Sequence, residues 1–452
     1  MKASIEGGTG LPPDIADQIS SLAHGLNPHA EERQGRGSAL EMINRNRISD
    51  AEGALLAMKS AFSFRDWQSL ALYHPHGYFP KEVDYANKMY LLPQMMSPIF
   101  GISIGEVAFA HYVNAAYPYQ PAPTVLSLGA GRGYLDRDLI EHTTAPEFDL
   151  PDYSMYARVF RDDSRFIITD IGDRAIGYLN DQLQPLLASS KYASRVRVEK
   201  LDALNFTLPR SPFGIVYCNE LIDSLPTEPV VEIDGKMHSV RIKPYLHSDR
   251  SKTGEAITQE KAREMFDARE TGDLRFEPVF VPIEYDTGLQ SRINKMFSAV
   301  RINHDDFNGV YPIFWDLDRI FKNIKASFDH GVFIVIDYHS SGRGMHNWNQ
   351  AVNIYKSYKF GEEDISFQID PQQVIEVGGK EGFSCDNGVD LQELLQQFAP
   401  LAIKDKGAID RWVSLHQNYL KTDTDNQILG ALSSYAFGIN SAKHYSLMVF
   451  HF

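Results

Sequence analysis

The run Thr124-Val125-Leu126-Ser127-Leu128-Gly129-Ala130-Gly131-Arg132-Gly133-Tyr134-Leu135 joins an apolar strand to three alternating glycines and then to a helical pattern from Asp136 to Ile140. Glycines let the backbone pass close to a ligand and take positive φ without a Cβ clash, and the adjoining helix offers unpaired N–H groups beside them. The spacing is G-x-G-x-G, whereas a dinucleotide fingerprint needs G-x-G-x-x-G over a helix that receives a pyrophosphate. The run therefore reads as a cofactor-binding βα turn of another kind.

The strands beyond this turn narrow the cofactor to S-adenosyl-L-methionine (SAM). A second strand, Arg165 to Asp170, ends in a carboxylate, which in a doubly wound sheet falls at the ligand crevice and can accept two ribose hydroxyl bonds; capping of the next helix is the alternative. Asp170 lies farther beyond Gly133 than the roughly 20 residues of a compact unit, and the stretch Thr143 to Ser164 reads as an insertion that makes up the difference. A third strand, Val196 to Leu201, runs into Asp202-Ala203, a pair suited to an adenine amino group and ring edge, or to a surface turn. Gly129, Gly131, Arg132, Gly133, Asp170, Asp202 and Ala203 are thus the cofactor candidates, with Arg132 either steadying the turn or meeting the cofactor's carboxylate. A buried strand, Phe213 to Cys218, then delivers Asn219, Glu220 and Asp223 to the same crevice.

Bulk properties bound the reading. The chain has 452 residues, 43% hydrophobic and 12% aromatic, which is globular and long enough for one elaborated domain or two. A formal charge of −15 argues against non-specific binding to nucleic acid or anionic membrane. Only Cys218 and Cys385 occur, so neither a disulfide framework nor a cysteine-rich zinc site is supported. The 15 histidines show no H-E-x-x-H or other metal-ligand spacing, and no metal is expected. Early acidic residues (Glu6, Asp14, Asp17) fit neither a secretory nor a transit peptide, and no apolar run approaches the roughly 20 residues that span a bilayer. A cytoplasmic enzyme is expected.

The expected fold is α/β, a Rossmann-like sheet with helices on both faces. Residues 1–46 read as a polar extension with a short helix over Asp14 to Leu26, and 47–118 as an N-terminal helical, substrate-side segment. Within the latter, Ser49 to Phe64 reads as one amphipathic helix capped by Asp50, with Ala54, Leu55, Met58, Ala61 and Phe62 on one face, and Pro98 to His111 as another helix. Residues 119–245 form the first part of the core and 246–283 an insertion read as a substrate-side cap, in which the charged stretch Leu246 to Arg275 reads as a solvated helix and Glu277 to Ile283 as a strand. Residues 284–452 complete the core, with a buried strand at Gly331 to Asp337 and a closing strand at Tyr445 to Phe452. His339, after the acidic strand end, is a general base or a surface imidazole; Tyr73 and Tyr78 build an acceptor pocket or simply pack.

The block Asn219-Glu220-Leu221-Ile222-Asp223-Ser224-Leu225-Pro226 resembles the N-E-F/L-F/L-D-A-L-P signature of the MidA family of class I methyltransferases. Leu128 to Asp138 is similar to its E-I/L-G-P-G-R-G-T-L-x-x-D, Leu72 to Phe79 to its L-Y-x-P-x-x-G-Y-Y, Pro93 to Gly101 to its P-E-I/V-S-x-x-F-G, and Val335 to His339 to its I-D-Y-G strand end; Val389-Asp390-Leu391 faintly echoes V-D-F. The resemblance spans about Ser63 to Leu391. It implies SAM-dependent methylation of arginine side chains on a partner protein, as in the mitochondrial members that assist complex I assembly. Glu220 and Asp223 would then hold and polarise the guanidinium, provided the strand gives way to a helical turn; the alternative is that Asn219 and Asp223 cap the next helix. Ser127 and Gln94 both stand where the family has Glu, and its E-E-R and T-L-R-A-Y/F segments are not recognisable. Those departures keep open a small-molecule or peptide acceptor, or a non-catalytic assembly factor that retains a SAM pocket. The oligomeric state is not legible in the sequence.

Overall fold

The computed structural model describes residues 41–80, 99–115, 121–146, 148, 154–233, 235–247, 255–299, 310–339, 354, 360–361, 364–389, 391, 394–395 and 445–452. Its first half comprises α1 (Ala51–Ser60), β1 (Phe62–Ser63), α2 (Phe64–Tyr73), α3 (Ile99–Asn114), β2 (Thr124–Leu128), α4 (Tyr134–Thr143), α5 (Ser154–Asp163), β3 (Arg165–Asp170), α6 (Asp173–Leu187), β4 (Val196–Lys200) and β5 (Ser211–Asn219). The second half comprises β6 (Thr227–Ile233), β7 (Lys236–Leu246), β8 (Glu255–Ala256), α7 (Gln259–Asp267), β9 (Leu274–Pro282), α8 (Thr287–Ala299), β10 (Val310–Phe314), α9 (Leu317–Ser327), β11 (Phe328–Tyr338), α10 (Pro371–Lys380), β12 (Ser384–Val389) and β13 (Tyr445–His451).

A seven-stranded sheet runs in the order β12-β13-β11-β5-β2-β3-β4. Its strands from β11 to β4 are parallel, while β13 runs antiparallel to β11 and β12. The strand order reverses at β2, between β3 and β5, so the crevice for a ligand opens at the carboxyl ends of these strands. The central strands β2, β5 and β11 are apolar on both faces because both are covered. Val125, Ile168, Ile215 and Ile334 pack beneath α3 to α6, whereas Leu126, Val216, Phe333 and Val335 pack against α2, α9 and α10. This is the Rossmann-like α/β sheet expected from the sequence.

The chain leaves that sheet after Asn219. β6 and β7, within the span grouped with the core at 119–245, join an antiparallel sheet of order β1-β7-β6-β10, with β8 and β9 on β7. In the insertion Glu277 to Pro282 lie in β9, as the strand reading expected, and the charged stretch before them is more than a solvated helix. α7 does form, with the Thr258 side chain accepting from Lys261 N, but it buries Ala262 and Phe266 and lies between strands of this second sheet. Phe266 stacks on Phe360 with centroids 4.0 Å apart, which explains why a segment rich in charge is nevertheless fixed. The inserted stretch carries an added helix, α5, whose Ala157 and Phe160 are buried.

The expected single helix over Ser49 to Phe64 is two. Asp50 caps α1 as anticipated, but Ala61 is extended, Phe62–Ser63 pair with Ile242 and Arg241, and Ser63 caps α2. Sheet pairing outweighs helical periodicity there, and Leu55, placed on the apolar face, is 63% exposed. Residues 41–46 are helical with Met42 and Ile43 buried, while the expected helix at Asp14 to Leu26, and Gln94, lie outside the described residues.

In the β5–β11 register Gly331 lies opposite Gly214 and Ile336 opposite Asn219, which brings Asp337 level with the turn after β5. The register needs a small residue at 214: a Cβ there would meet the Phe328 ring at 2.4 Å. Gly214→Ala is expected to destabilise the fold by about 1–3 kcal/mol, read as a lower denaturant midpoint. An unchanged midpoint would contradict this register.

Candidate active site

All three glycines of the turn take left-handed backbone, with φ of 67° at Gly129, 58° at Gly131 and 75° at Gly133. At Gly129 and Gly133 an added Cβ would strike Leu221 at 2.8 Å and Leu179 at 2.7 Å, so these two also serve close packing. At Gly131 it would meet nothing within 4 Å, because that side of the backbone faces a cavity. Asp170 holds the turn in place: its Oδ2 accepts from Gly131 N and its Oδ1 from Gly172 N, both at 3.0 Å. α6 begins at Gly172 without a side-chain cap, so Asp170 braces the turn rather than capping the helix. Burial raises the Asp170 pKa above its ordinary range even though backbone donors oppose the shift.

The cavity has a volume of about 540 Å³, and its lining includes the cofactor candidates Gly129, Gly131, Arg132, Gly133, Asp170, Asp202 and Ala203 and the acceptor-side candidates Asn219, Glu220 and Asp223. Asp202 Oδ1 accepts from Leu204 N at 2.9 Å, so this carboxylate shapes a turn at the end of β4 as well as facing the cavity. Arg132 lies over the Tyr178 ring at 5.1 Å, and Arg174 lies over the same ring at 5.2 Å. Tyr73 and Tyr78 also line the cavity, together with Asp364, Ser366 and Gln368.

The Asn219–Pro226 block is a turn into β6 and not a helix, so the helical spacing expected for Glu220 and Asp223 does not operate, nor do Asn219 and Asp223 cap a helix. Glu220 instead takes a left-handed φ of 54°, uncommon for a residue with a side chain, and this turns the carboxylate to the cavity. Its Oε1 accepts from Tyr445 Oη at 2.8 Å and from Asn219 Nδ2 at 3.3 Å. Asp337, fully buried, holds the turn: its Oδ2 accepts from Ile222 N at 2.8 Å and Asp223 N at 3.2 Å, and its Oδ1 from Tyr338 N at 2.8 Å. Burial, and then the charge of Glu220, raise Asp337 to about 7 despite these donors. Asp223 is pushed well above the usual carboxylate range by burial and by Asp337, Asp364 and Glu220, and its Oδ1 is buried with no hydrogen-bond donor.

Several contributors escaped the sequence reading. Tyr445 comes from β13, 225 positions after Glu220, and nothing local marks it. Tyr338 lines the cavity and packs on Tyr445 at 4.2 Å, whereas His339, read as a base or a surface imidazole, is not in the described lining. The 246–283 insertion contributes none of that lining either. It supports the lining from behind, through contacts of His74 with Asp267 at 3.1 Å and of Arg269 with His76 at 3.1 Å. At the amino-terminal end of β11, far from the crevice, His111, Asp386 and His451 converge with ligand atoms within 4.8 Å of one another, a grouping that no sequence spacing reveals.

The residues present fit SAM. The volume falls in the range of small-molecule sites, roughly 300–1,000 Å³, the glycine at position 131 leaves open a cradle that a side chain would enter, and carboxylates outnumber guanidiniums around a ligand whose net charge is positive. Asp170→Ala is expected to weaken S-adenosyl-homocysteine binding about tenfold or more, since each hydrogen bond to a charged acceptor contributes about 1.5 kcal/mol or more. Gly131→Val, strained and projecting into the cavity, should abolish binding while circular dichroism stays native. Calorimetric affinities equal to the parent's would place the cofactor elsewhere.

Comparison with known proteins agrees with this geometry. Residues 103–388, well over half the chain, match the family model described as "Putative S-adenosyl-L-methionine-dependent methyltransferase". Two Burkholderia thailandensis structures of one superfamily share the fold. One, an uncharacterized protein, aligns with a TM-score of 0.50 at 16% identity over 94% of both chains. The other, bound to S-adenosyl-homocysteine, aligns with a TM-score of 0.52 at 15% identity, again over 94% of both. No curated protein matches the chain by sequence. Among the described residues no helix is long and apolar enough to cross a membrane. The glycine turn, the acid-ended strands and the N-E-L-I-D-S-L-P turn around one cavity thus belong to a MidA-like member of the S-adenosyl-L-methionine-dependent methyltransferase family.

Proposed function

We propose that the enzyme methylates a guanidinium nitrogen of an arginine side chain on a partner protein. The observation that carries this reading is the charge distribution around the cavity. Arg132 and Arg174, the cations in the described lining, both sit against Tyr178, whereas Glu220, Asp223 and Asp364 gather with Tyr73 and Tyr338. A pocket of carboxylates and aromatic rings favours a cation over an anion or a neutral metabolite. The raised pKa of Asp223 has the same meaning: its environment lacks compensating positive charge, and a guanidinium would supply it. The MidA resemblance, carried by the same Glu220 and Asp223, supports the choice of arginine.

SAM, when bound, supplies a methyl carbon open to attack by a nitrogen lone pair, with the C–S electron pair departing on sulfur. The chain's own task is to position the acceptor and receive a proton. A guanidinium is protonated below about pH 12, so Glu220 and Asp223 would fix its planar fork and draw density toward one nitrogen. Tyr445 and Asn219 hold the Glu220 carboxylate in one orientation, and proximity supplies much of the rate. The proton released as the N–C bond forms passes to this carboxylate pair.

Glu220→Gln keeps size and hydrogen bonding but removes charge. Its turnover on labelled methyl transfer is expected to fall about 10²-fold or more, with cofactor affinity changed by less than about threefold. Mass spectrometry of proteins labelled by the parent but not by the variant should find methyl groups on arginine nitrogens. Label confined to carboxyl, hydroxyl or metabolite positions would reject this acceptor in favour of a small-molecule one.

A further inference from the structure

We infer that Asp136 is the counter-charge for the α-ammonium group of the cofactor's methionine moiety. This rests on the cavity being the SAM site and concerns a residue that neither the glycine pattern nor the N-E-L-I-D-S-L-P block marks.

Asp136 sits in the first turn of α4, three residues after Gly133, and its side chain lines the cavity although the residue is only 1% exposed. Its Oδ1 accepts from Tyr217 Oη at 2.6 Å, and the Ser127 hydroxyl is its other side-chain partner. Both partners are neutral, as is its own backbone N–H, a further donor, and the charge acting on it is the like charge of Asp170. A fully buried carboxylate held only by neutral donors is costly, and burial pushes its pKa up to about 6. Such a group in a ligand cavity calls for a cation from the ligand.

The other carboxylates of the lining leave this role to Asp136. Asp170 and Asp202 stand at the ends of β3 and β4, on the adenosine side of the turn, while Glu220, Asp223 and Asp364 form the acceptor cluster. Arg132 and Asp136 flank the last glycine of the turn in sequence, and both line the cavity. That pair matches the opposite charges of an amino-acid zwitterion. Ser127, where the family has Glu, gives Asp136 a hydroxyl partner in place of a second carboxylate.

The test compares two ligands that share the adenosine and thioether but differ in the amino acid, S-adenosyl-homocysteine and 5′-methylthioadenosine, by calorimetry. In Asp136→Asn the first should bind about 10- to 100-fold more weakly, while the second changes by less than about threefold, which also reports an intact fold. A merely structural role would weaken both equally, and either that result or no loss at all overturns the inference. If the variant does not fold, the affinity ratio of the two ligands to the parent protein, measured from pH 5 to 8, decides. The groups facing Asp136 are Ser127 on β2, Tyr217 on β5 and Asp170 on β3. The hydroxyls do not titrate in this window, and Asp170 faces the adenosine common to both ligands. The ratio should therefore favour S-adenosyl-homocysteine above about 6, where Asp136 is ionised, and decline below it; a flat ratio overturns the inference. Failure of the parent to bind either ligand would instead overturn the cofactor site itself.

Discussion

The architecture of the site depends on one buried carboxylate. Asp337, at the end of β11, accepts backbone N–H groups from Ile222, Asp223 and its own neighbour Tyr338. Two of those donors belong to the turn leaving β5, so the carboxylate replaces the hydrogen bonds that a helix would have supplied there. Freed from helical geometry, the chain places Glu220 in a left-handed conformation and brings both Glu220 and Asp223 to the cavity. The opposed glycines Gly214 and Gly331 set the register that makes this contact available. A packing constraint in the middle of the sheet is thus transmitted to the chemistry at its end.

The same region shows how a mixed architecture encloses a pocket. The parallel sheet supplies the floor through the ends of β2, β3, β4 and β5, and the far wall comes from α2 and the 364–368 segment. That wall is fastened from several sides. Tyr73 Oη donates to Ser224 O at 2.8 Å, Phe367 N donates to Asp223 O at 2.9 Å, and Gln68 Nε2 donates to Ile365 O at 2.7 Å. Asp223 is therefore held by its N–H, its carbonyl and its neighbours, which is how a buried carboxylate with a strongly raised pKa is kept in place. The second sheet stands behind this wall, joined to it through the Trp67, Phe266, Phe276 and Phe360 cluster.

The parts legible in the sequence were those encoded locally. Apolar runs ending in Asp170, Asn219 and Asp337 marked three strands of the parallel sheet, and the alternation Gly129, Gly131, Gly133 marked a turn whose positive φ values only glycine takes without strain. Of the second sheet β9 was legible at Glu277 to Ile283, but the sheet as such was not, since β6 and β7 pair antiparallel within a stretch that reads as a continuation of the core. Helical periodicity also misled at Phe62, where pairing with Ile242 prevailed. Site residues whose role depends on contacts across the fold were equally hidden: Tyr445 reaches Glu220 only because β13 inserts beside β11.

The proposed orientation of the cofactor puts its adenosine at Asp170 and its reactive sulfur toward the Glu220–Asp223 turn. A crystal structure of the protein with S-adenosyl-homocysteine tests it most directly. The ribose hydroxyls are expected on Asp170, the amino-acid end between Arg132 and Asp136, and the sulfur facing Glu220 and Asp223. A ligand bound in reverse, with its ribose against Glu220, or bound outside this cavity, would contradict it.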